Sequence, residues 1–356
     1  MDHLCPSRPP NTAGKLLASL GLALVPAAVL AQNPQATQTV DTVQQRQQAT
    51  TVSQAFSTNT VPELYPGESD DVGIQSVLRA QPWRPLLEGS ADIQYFYTDN
   101  ALYTTHNLQG SDVLVSTVQA VLTATPTPLG SGFFTPRLGF QQQWYNYGLA
   151  ASASFTTYKY EQLGPFGFYR PVTQNLGDLD FSAQTVFLDG AWRWNDWVLA
   201  AGVDYRRLLD FPGYDQFYSE LVPRWGVQRR FALSPTTALS LSYDGNYRVT
   251  DTTETSPGLD SSSGNRTDQS LMLAGSWQIC AHAILQPYYR LEYSHYTGIN
   301  RDDLWNSFGL QLNIPLTRQL TARLYAAYDN FQTDGSAVQS YEALSAGGGI
   351  NLTVVF

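Results

Sequence analysis

Charge is scarce in this chain of 356 residues. Aspartate, glutamate, lysine and arginine together make up 14% of it, whereas an ordinary soluble domain has roughly 25%. The 30 acidic residues outnumber the 20 basic ones, and the net charge is −10. Because nucleic-acid binding depends on a basic surface, we expect no nucleic-acid partner.

Cysteine and long apolar runs are scarce as well. The two cysteines are Cys5 and Cys280, and Cys5 lies in a segment that we expect to be removed, so one mature chain has no disulfide. No segment after residue 31 reaches the roughly 20 consecutive apolar residues of a membrane helix. The four histidines match no zinc motif, and we expect no metal site and no cofactor.

The first 31 residues have the composition of a secretory signal peptide. Arg8 and Lys15 supply positive charge, and Leu16 to Leu30 form an apolar stretch. Small residues mark a cleavage site after Ala31. A short N-terminal anchor helix is the alternative. Removal of residues 1–31 would leave 18 basic and 29 acidic residues, a mature net charge of −11.

The next segment, residues 32–85, is rich in Gln and Thr. Such a composition buries too little apolar area to offset the entropy of the chain. We therefore expect a disordered periplasmic leader and linker, with a short helical association segment as the alternative. The acidic run in its second half is expected to be solvated, although it could hold calcium; the run comprises Glu63, Glu68, Asp70 and Asp71.

From residue 86 to 356 the hydrophobicity alternates with a period of two. Within Ala238 to Thr250, Leu239 and Leu241 fall on one face, and Ser240 and Ser242 fall on the other. The alternating segments are roughly 10 to 15 residues long, and about 9 to 11 suffice to cross a membrane in a tilted strand. Aromatic residues, which are 13% of the chain, gather near the segment ends. This pattern predicts a transmembrane β-barrel with aromatic girdles.

The connections alternate in length. Short turns are predicted at 145–148, 195–196, 234–237, 281–282 and 316–318. Longer polar loops are predicted at 162–177, 210–217, 251–267, 297–302 and 333–339. Short periplasmic turns and long outer loops are typical of outer-membrane barrels. A soluble secreted β-protein is the remaining alternative, since its strands alternate too.

The last strand carries the most specific signal. Ala343 to Phe356 is apolar at every second position and ends in an aromatic residue. It resembles the terminal strand of Gram-negative outer-membrane β-barrel proteins. The resemblance implies a closed barrel in the outer membrane, in contact with its lipid and lipopolysaccharide. It also implies recognition by the barrel-assembly machinery of a signal formed by Gly348, Ile350, Leu352, Val354 and Phe356.

The expected fold is therefore all-β, a closed antiparallel transmembrane barrel of 12 to 14 strands. Thirteen segments qualify as strands, among them 148–161, but bacterial barrels have even numbers. The discrepancy must lie before residue 145. A further strand hidden in 99–111 would give fourteen, which we prefer, and loss of one early candidate would give twelve.

Charged residues on the polar faces should line the lumen. Arginine can pair with carboxylates on neighbouring strands, which would brace the wall. An arginine ladder that selects solutes is the alternative. The candidate lattice comprises Asp204, Arg206, Glu220, Arg224, Arg230, Asp244, Arg248, Arg290, Glu292, Arg323 and Asp329.

These features favour a passive or weakly selective pore for small polar solutes, or a structural barrel. A secretion or surface-assembly barrel, whose leader engages a partner, is the alternative. An outer-membrane hydrolase is a remote one, because only His295, beside Ser294, could act as a base and no orienting carboxylate is evident. We expect no enzymatic activity.

Overall fold

The computed structural model of the chain describes residues 32–54, 86–105, 108–149, 154–163, 166–211, 213–252, 260–280, 282–335 and 338–356. The predicted signal peptide at 1–31, its cleavage site and the acidic linker residues lie outside these ranges. No helix in the described ranges is long and apolar enough to cross a membrane.

The described chain consists of one α-helix, one 3-10 turn and fifteen strands. The helix is α1 (Gln32–Gln54), and the 3-10 turn is Leu176–Leu179. The strands are β1 (Leu87–Thr98), β2 (Ser111–Thr123), β3 (Thr127–Leu129), β4 (Gly132–Tyr147), β5 (Ser154–Leu163), β6 (Phe166–Asn175), β7 (Phe181–Trp194), β8 (Trp197–Asp210), β9 (Gln216–Ser234), β10 (Thr237–Thr252), β11 (Arg266–Cys280), β12 (Ala283–Tyr296), β13 (Asp302–Pro315), β14 (Leu320–Thr333) and β15 (Tyr341–Val355).

Twelve of the described strands form a closed antiparallel barrel. In the wall, β2 is followed directly by β4, β4 by β7, and each later strand by its successor, until β15 pairs with β1 and closes the ring. Strand β3 extends the connection between β2 and β4 by pairing with the start of β4. The predicted closed barrel is confirmed, and its strand number is twelve, the lower limit of the prediction and not the preferred fourteen.

The extra candidate strand is segment 148–161, so the prediction that the discrepancy lies before residue 145 is wrong. Its residues from 154 onward form β5, which pairs only with β6 as a separate hairpin outside the wall. This hairpin alternates in sequence as a wall strand does, so the periodicity could not separate the two. The predicted short turn at 145–148 is thus wrong, because it is the beginning of the long connection 148–180.

The two ends of the barrel differ in the length of their connections. At one end, which we name the terminal end, Glu88 and Val355 lie opposite each other, and tight turns join β7 to β8 and β9 to β10. At the opposite end, the loop end, lie the connections 99–110, 148–180, 253–265 and 334–340. The short turns predicted after β7, β9, β11 and β13 are confirmed, whereas most of the polar loop predicted at 162–177 forms β6.

The two faces of the wall have opposite chemistry. Large apolar side chains are exposed on the outward rows, among them Ile93, Leu188, Leu241, Leu310, Leu324 and Ile350. Polar side chains are buried on the inward rows, among them Gln94, Gln143, Ser240, Gln311 and Ser345. An even number of antiparallel strands with an apolar outer surface is the architecture of an outer-membrane β-barrel. The resemblance of the last strand to that class is confirmed.

Helix α1 lies inside the lumen. It contacts inward-facing side chains of strands around the whole ring, from Phe96 on β1 to Arg248 on β10 and Ser345 on β15. Val40 and Val43 are fully buried. This corrects the expectation of disorder for residues 32–54. An isolated polar helix has little stability in water. Here the contacts that stabilise the helix come from the barrel wall.

The pairing of β15 with β1, which closes the ring and which we name the seam, depends on the absence of a side chain at Gly347. A Cβ placed there would collide with the carbonyl oxygen of Tyr95 and with Phe96. These residues belong to the register that closes the ring, in which Phe96 is opposite Gly347. The glycine therefore allows the close approach of two strands.

We expect Gly347→Val to destabilise the closed barrel by about 1–3 kcal/mol, because an overpacked side chain pushes the seam apart. The fraction of heat-modifiable, folded protein on a gel and the urea midpoint in lipid vesicles measure this. Gly177→Val is the matched control, since a Cβ at Gly177 meets nothing within 4 Å. Equal behaviour of the two variants would contradict the role of the seam glycine.

Candidate functional site in the barrel lumen

Helix α1 enters the lumen with its N-terminal half at the loop end. The side-chain amide of Gln35 donates to the carbonyl oxygen of Ala101, 2.9 Å away, in the connection between β1 and β2. The hydroxyl of Thr39 is hydrogen-bonded to the phenol oxygens of Tyr103 at 3.1 Å and Tyr147 at 2.9 Å. Later residues of α1 contact deeper rows of the wall, so the helix runs from the loop end towards the terminal end.

One face of α1 is apolar and packs into a hydrophobic cluster. Ala36, Val40 and Val43 follow the i, i+4, i+7 spacing of a single helix face. Around them lie buried side chains of the wall and of the connection 148–180: Val113, Val115, Tyr145, Phe155, Leu176, Leu179, Phe181, Leu208 and Tyr218. Tyr145 and Phe181 stack with ring centroids 4.4 Å apart. The connection 148–180 thus contributes to burying the N-terminal half of the helix.

The charged contacts of α1 are concentrated at Asp41. Its Oδ1 accepts hydrogen bonds from Arg206 at 3.3 Å and Arg248 at 3.0 Å. Its Oδ2 accepts one from Arg266 at 3.2 Å. These guanidiniums come from β8, β10 and β11, so a single carboxylate of the helix ties three wall strands together.

Two wall carboxylates complete this group, which we name the central cluster: Asp41, Arg206, Glu220, Arg248, Arg266 and Asp268. Glu220 lies 2.9 Å from Arg206 and 3.4 Å from Arg248. Asp268 lies 2.6 Å from Arg248 and 2.9 Å from Arg266. Burial alone would raise the pKa of Asp41, but the three guanidiniums outweigh it and the pKa lies below its ordinary value. Asp41 is therefore ionised at neutral pH.

Arg46, five residues further along α1, occupies a second site. Its guanidinium lies over the rings of Phe96 and Tyr325, 5.1 Å from each centroid. It also lies 3.8 Å from a carboxylate oxygen of Asp329 and donates to the hydroxyl of Ser345. Two aromatic faces and a carboxylate form a cage for a cation.

The predicted lumen lattice is divided among several groups. The central cluster contains Arg206, Glu220 and Arg248, and Asp329 belongs to the Arg46 site. A third group, nearer the terminal end, joins Arg224 to Asp204 at 2.9 Å and to Asp189 at 2.8 Å. Arg290 pairs with Glu292, and Arg323 pairs with Asp92. Arg230 and Asp244 also lie on inward rows of the wall.

Sequence reasoning missed the residues that hold the helix. Asp41 and Arg46 were assigned to a disordered leader, although they are two of its few charged residues. Arg266 and Asp268 lie at the very start of β11, at the border of the predicted loop 251–267. Tyr145 and Tyr147 were expected in an aromatic girdle, but both face the lumen and are buried. The alternation from Gln141 to Tyr147 places them on the polar face, and that signal could have identified them.

The candidate hydrolase residues lie apart. The hydroxyl of Ser294 faces the lumen and donates to Asp268 at 2.6 Å, whereas the exposed His295 lies 2.7 Å from Asp302. The structure therefore gives His295 the carboxylate partner that the sequence did not reveal. Adjacent residues of a strand point to opposite faces, so Ser294 and His295 do not form a nucleophile–base pair.

The residues of the predicted assembly signal lie at the terminal end of β15. Ile350, Leu352 and Phe356 are exposed on the outward face. The backbone N–H of Phe356 donates to the carbonyl of Leu87, 2.8 Å away, so the final residue is tied to the seam. Recognition of this strand by the assembly machinery remains a prediction.

No protein-family model matches the chain, and no curated protein matches it significantly. Solved structures resemble its fold. The β domain of the Bordetella autotransporter BrkA is 13% identical, with 75% of this chain and 99% of that chain covered and a TM-score of 0.42. An outer-membrane channel from Pseudomonas putida F1 is 12% identical, with 82% and 100% covered and a TM-score of 0.47. The translocator domain of the autotransporter NalP from Neisseria meningitidis is 12% identical, with 93% and 99% covered and a TM-score of 0.37.

The central cluster predicts that Asp41→Asn loosens α1. Replacement of the carboxylate by a neutral amide removes one of the negative charges that face three buried guanidiniums. Hydrogen bonds to charged groups contribute about 1.5–3 kcal/mol each to stability. We expect a maleimide to label a cysteine at position 43 about tenfold faster or more in this variant. The measurement is site-specific labelling, read by mass spectrometry, in full-length Val43→Cys, Cys280→Ser protein.

Asp260→Asn is the matched control for this experiment. Asp260 is an exposed loop carboxylate whose hydrogen bonds are to its neighbours Ser262 and Ser263. It should leave the labelling rate unchanged. Equal rates for the Asp41 and Asp260 variants would show that the cluster does not hold the helix.

Proposed function

We propose that this chain is an outer-membrane channel for small polar solutes that its own helix α1 holds closed. The observation that carries the proposal is that α1 fills the lumen through charge pairs with strands on several sides of the ring. An inward surface lined by polar and charged groups suits a water-filled pathway. With α1 in place, that pathway is occupied at the level of the central cluster.

The energetics support a helix that can leave. The free energy that a buried ion pair gains from attraction is largely offset by the cost of desolvating its charges. The net contribution of each pair to binding of the helix is therefore small. A helix this polar has little intrinsic stability in water. Its bound state therefore depends on the polar contacts at Gln35, Thr39, Asp41 and Arg46 together with the buried apolar face of Ala36, Val40 and Val43. Loss of a few of them shifts the balance between a closed and an open lumen.

The environment of the barrel follows from its outer surface. The apolar outward rows require contact with outer-membrane lipid. Insertion would depend on the barrel-assembly machinery acting on β15. We propose no enzymatic activity and no cofactor for this role.

A second candidate, a barrel that delivers a chain to the cell surface, is favoured by the direction of α1. The helix begins at the loop end, so the first residue of a chain cleaved after Ala31 would be presented there. This departs from the expectation of a periplasmic leader that binds a partner, since residues 35–46 are engaged by the wall. Surface labelling of a tag inserted directly before Gln32 tests this candidate: access in intact cells supports it, and protection contradicts it.

The channel proposal predicts the electrical behaviour of the barrel in planar lipid bilayers. Wild-type protein should be closed for most of the time. Asp41→Asn and Arg46→Gln should each raise the open probability by about tenfold, since each removes hydrogen bonds to a charged group. Single-channel recording of full-length protein measures this.

Asp260→Asn serves as the control here as well and should behave like the wild type. A barrel that stays closed in both helix variants, while migrating on a gel as a folded protein, would contradict the channel. A wild-type barrel that is permanently open would contradict closure by α1.

A further inference from the structure

The position of Asp41 in the central cluster is that of a ligand in a binding site. Both of its carboxylate oxygens are held, Oδ1 by two guanidiniums and Oδ2 by a third. The side chains of Arg206, Arg248 and Arg266 are 6%, 9% and 13% exposed. A buried, convergent set of guanidiniums suits a carboxylate, because each fork matches its two oxygens.

The charge of the wall favours an anion at this point. Without α1, three guanidiniums remain opposite two carboxylates, Glu220 and Asp268. The site therefore has one positive charge in excess, and Asp41 supplies the missing negative charge. A carboxylate free in the lumen could supply it equally well.

We propose that Arg206, Arg248 and Arg266 form a recognition site for carboxylate-bearing solutes, and that Asp41 occupies this site as an internal substitute. The inference rests on the proposed channel function and names the class of solute that the channel takes. Solute and helix then compete for the same three guanidiniums. A carboxylate solute that binds when α1 is displaced stabilises the open state by linkage.

The competition has a predictable strength. Asp41 is attached to the barrel by its own chain, which gives it an effective concentration in the millimolar range or above. A free carboxylate must reach a comparable concentration to displace it. The opening effect should therefore appear at millimolar to tens of millimolar solute, and not at micromolar levels.

The first test uses full-length wild-type protein in planar bilayers with succinate as the probe. Succinate should raise the open probability several-fold in a saturable way. Potassium chloride at matched ionic strength and the neutral analogue succinamide should not. An equal effect of chloride would show general screening of the ion pairs and would overturn the inference.

The second test measures binding in the open state. In Asp41→Asn channels, succinate should transiently reduce the current, with a defined half-blocking concentration. A further Arg248→Gln substitution should raise that concentration about tenfold, since it removes one charged donor. Arg266→Gln provides a second variant if the first fails to fold, as judged by heat-modifiable migration.

Arg224→Gln in the same Asp41→Asn background is the matched control. It removes an identical charge from the lumen, but Arg224 pairs with Asp204 and Asp189 nearer the terminal end. Four residues separate it from Glu220 along β9, about 13 Å in a strand. Its half-blocking concentration should stay within about twofold of the parent.

The outcomes separate this inference from the channel proposal. Open Asp41→Asn channels that succinate does not block, or blocks equally in the Arg248 and Arg224 variants, overturn the recognition site and leave the channel intact. Folded Asp41→Asn protein that never conducts overturns the channel itself.

Discussion

The structure depends on the closure of one hydrogen-bond ladder. A strand inside a membrane cannot leave its backbone N–H and C=O groups unpaired, because no water reaches them there. Pairing of β1 with β15 removes both free edges of the sheet at once. Every other feature follows from the ring that this seam completes: one face turned to lipid, one face turned inward, and an enclosed lumen that has to be filled or left to water.

Twelve strands enclose more space than one layer of side chains can fill, and the chain fills it with a segment of its own. The contacts of α1 between Gln35 and Arg46 reach β1, β4, β8, β10, β11, β14 and β15. The helix therefore acts as a brace across the ring. Its polarity, which makes it a poor helix in water, makes it a good ligand for a polar wall.

Much of the fold could be predicted because barrel strands follow a strict local rule. Alternation identified the wall strands from β1 to β15, and Ala238 to Thr250 shows both predicted faces. Disorder was preferred to a helix in Gln32–Gln54 because the stability of this helix is not local. Its charged contacts come from Arg206, Arg248 and Arg266, which are distant in sequence from Asp41. The position of the hairpin of β5 and β6 could not be predicted either. Its local pattern is that of a strand, but its place outside the wall depends on which strand it pairs with.

The pairing of charges also explains how a closed lumen can remain adjustable. An apolar plug would be held by burial alone, which is non-directional and offers no site at which a single anion could compete. Charge pairs are different, because a soluble anion can replace Asp41 at its guanidiniums without leaving a buried charge unpaired. The two ion-pair anchors of α1 have opposite sign, Asp41 in a ring of arginines and Arg46 between aromatic faces beside Asp329. Displacement of the helix therefore exposes an anion site and a cation site together, and the lumen keeps its overall balance of charge when it opens.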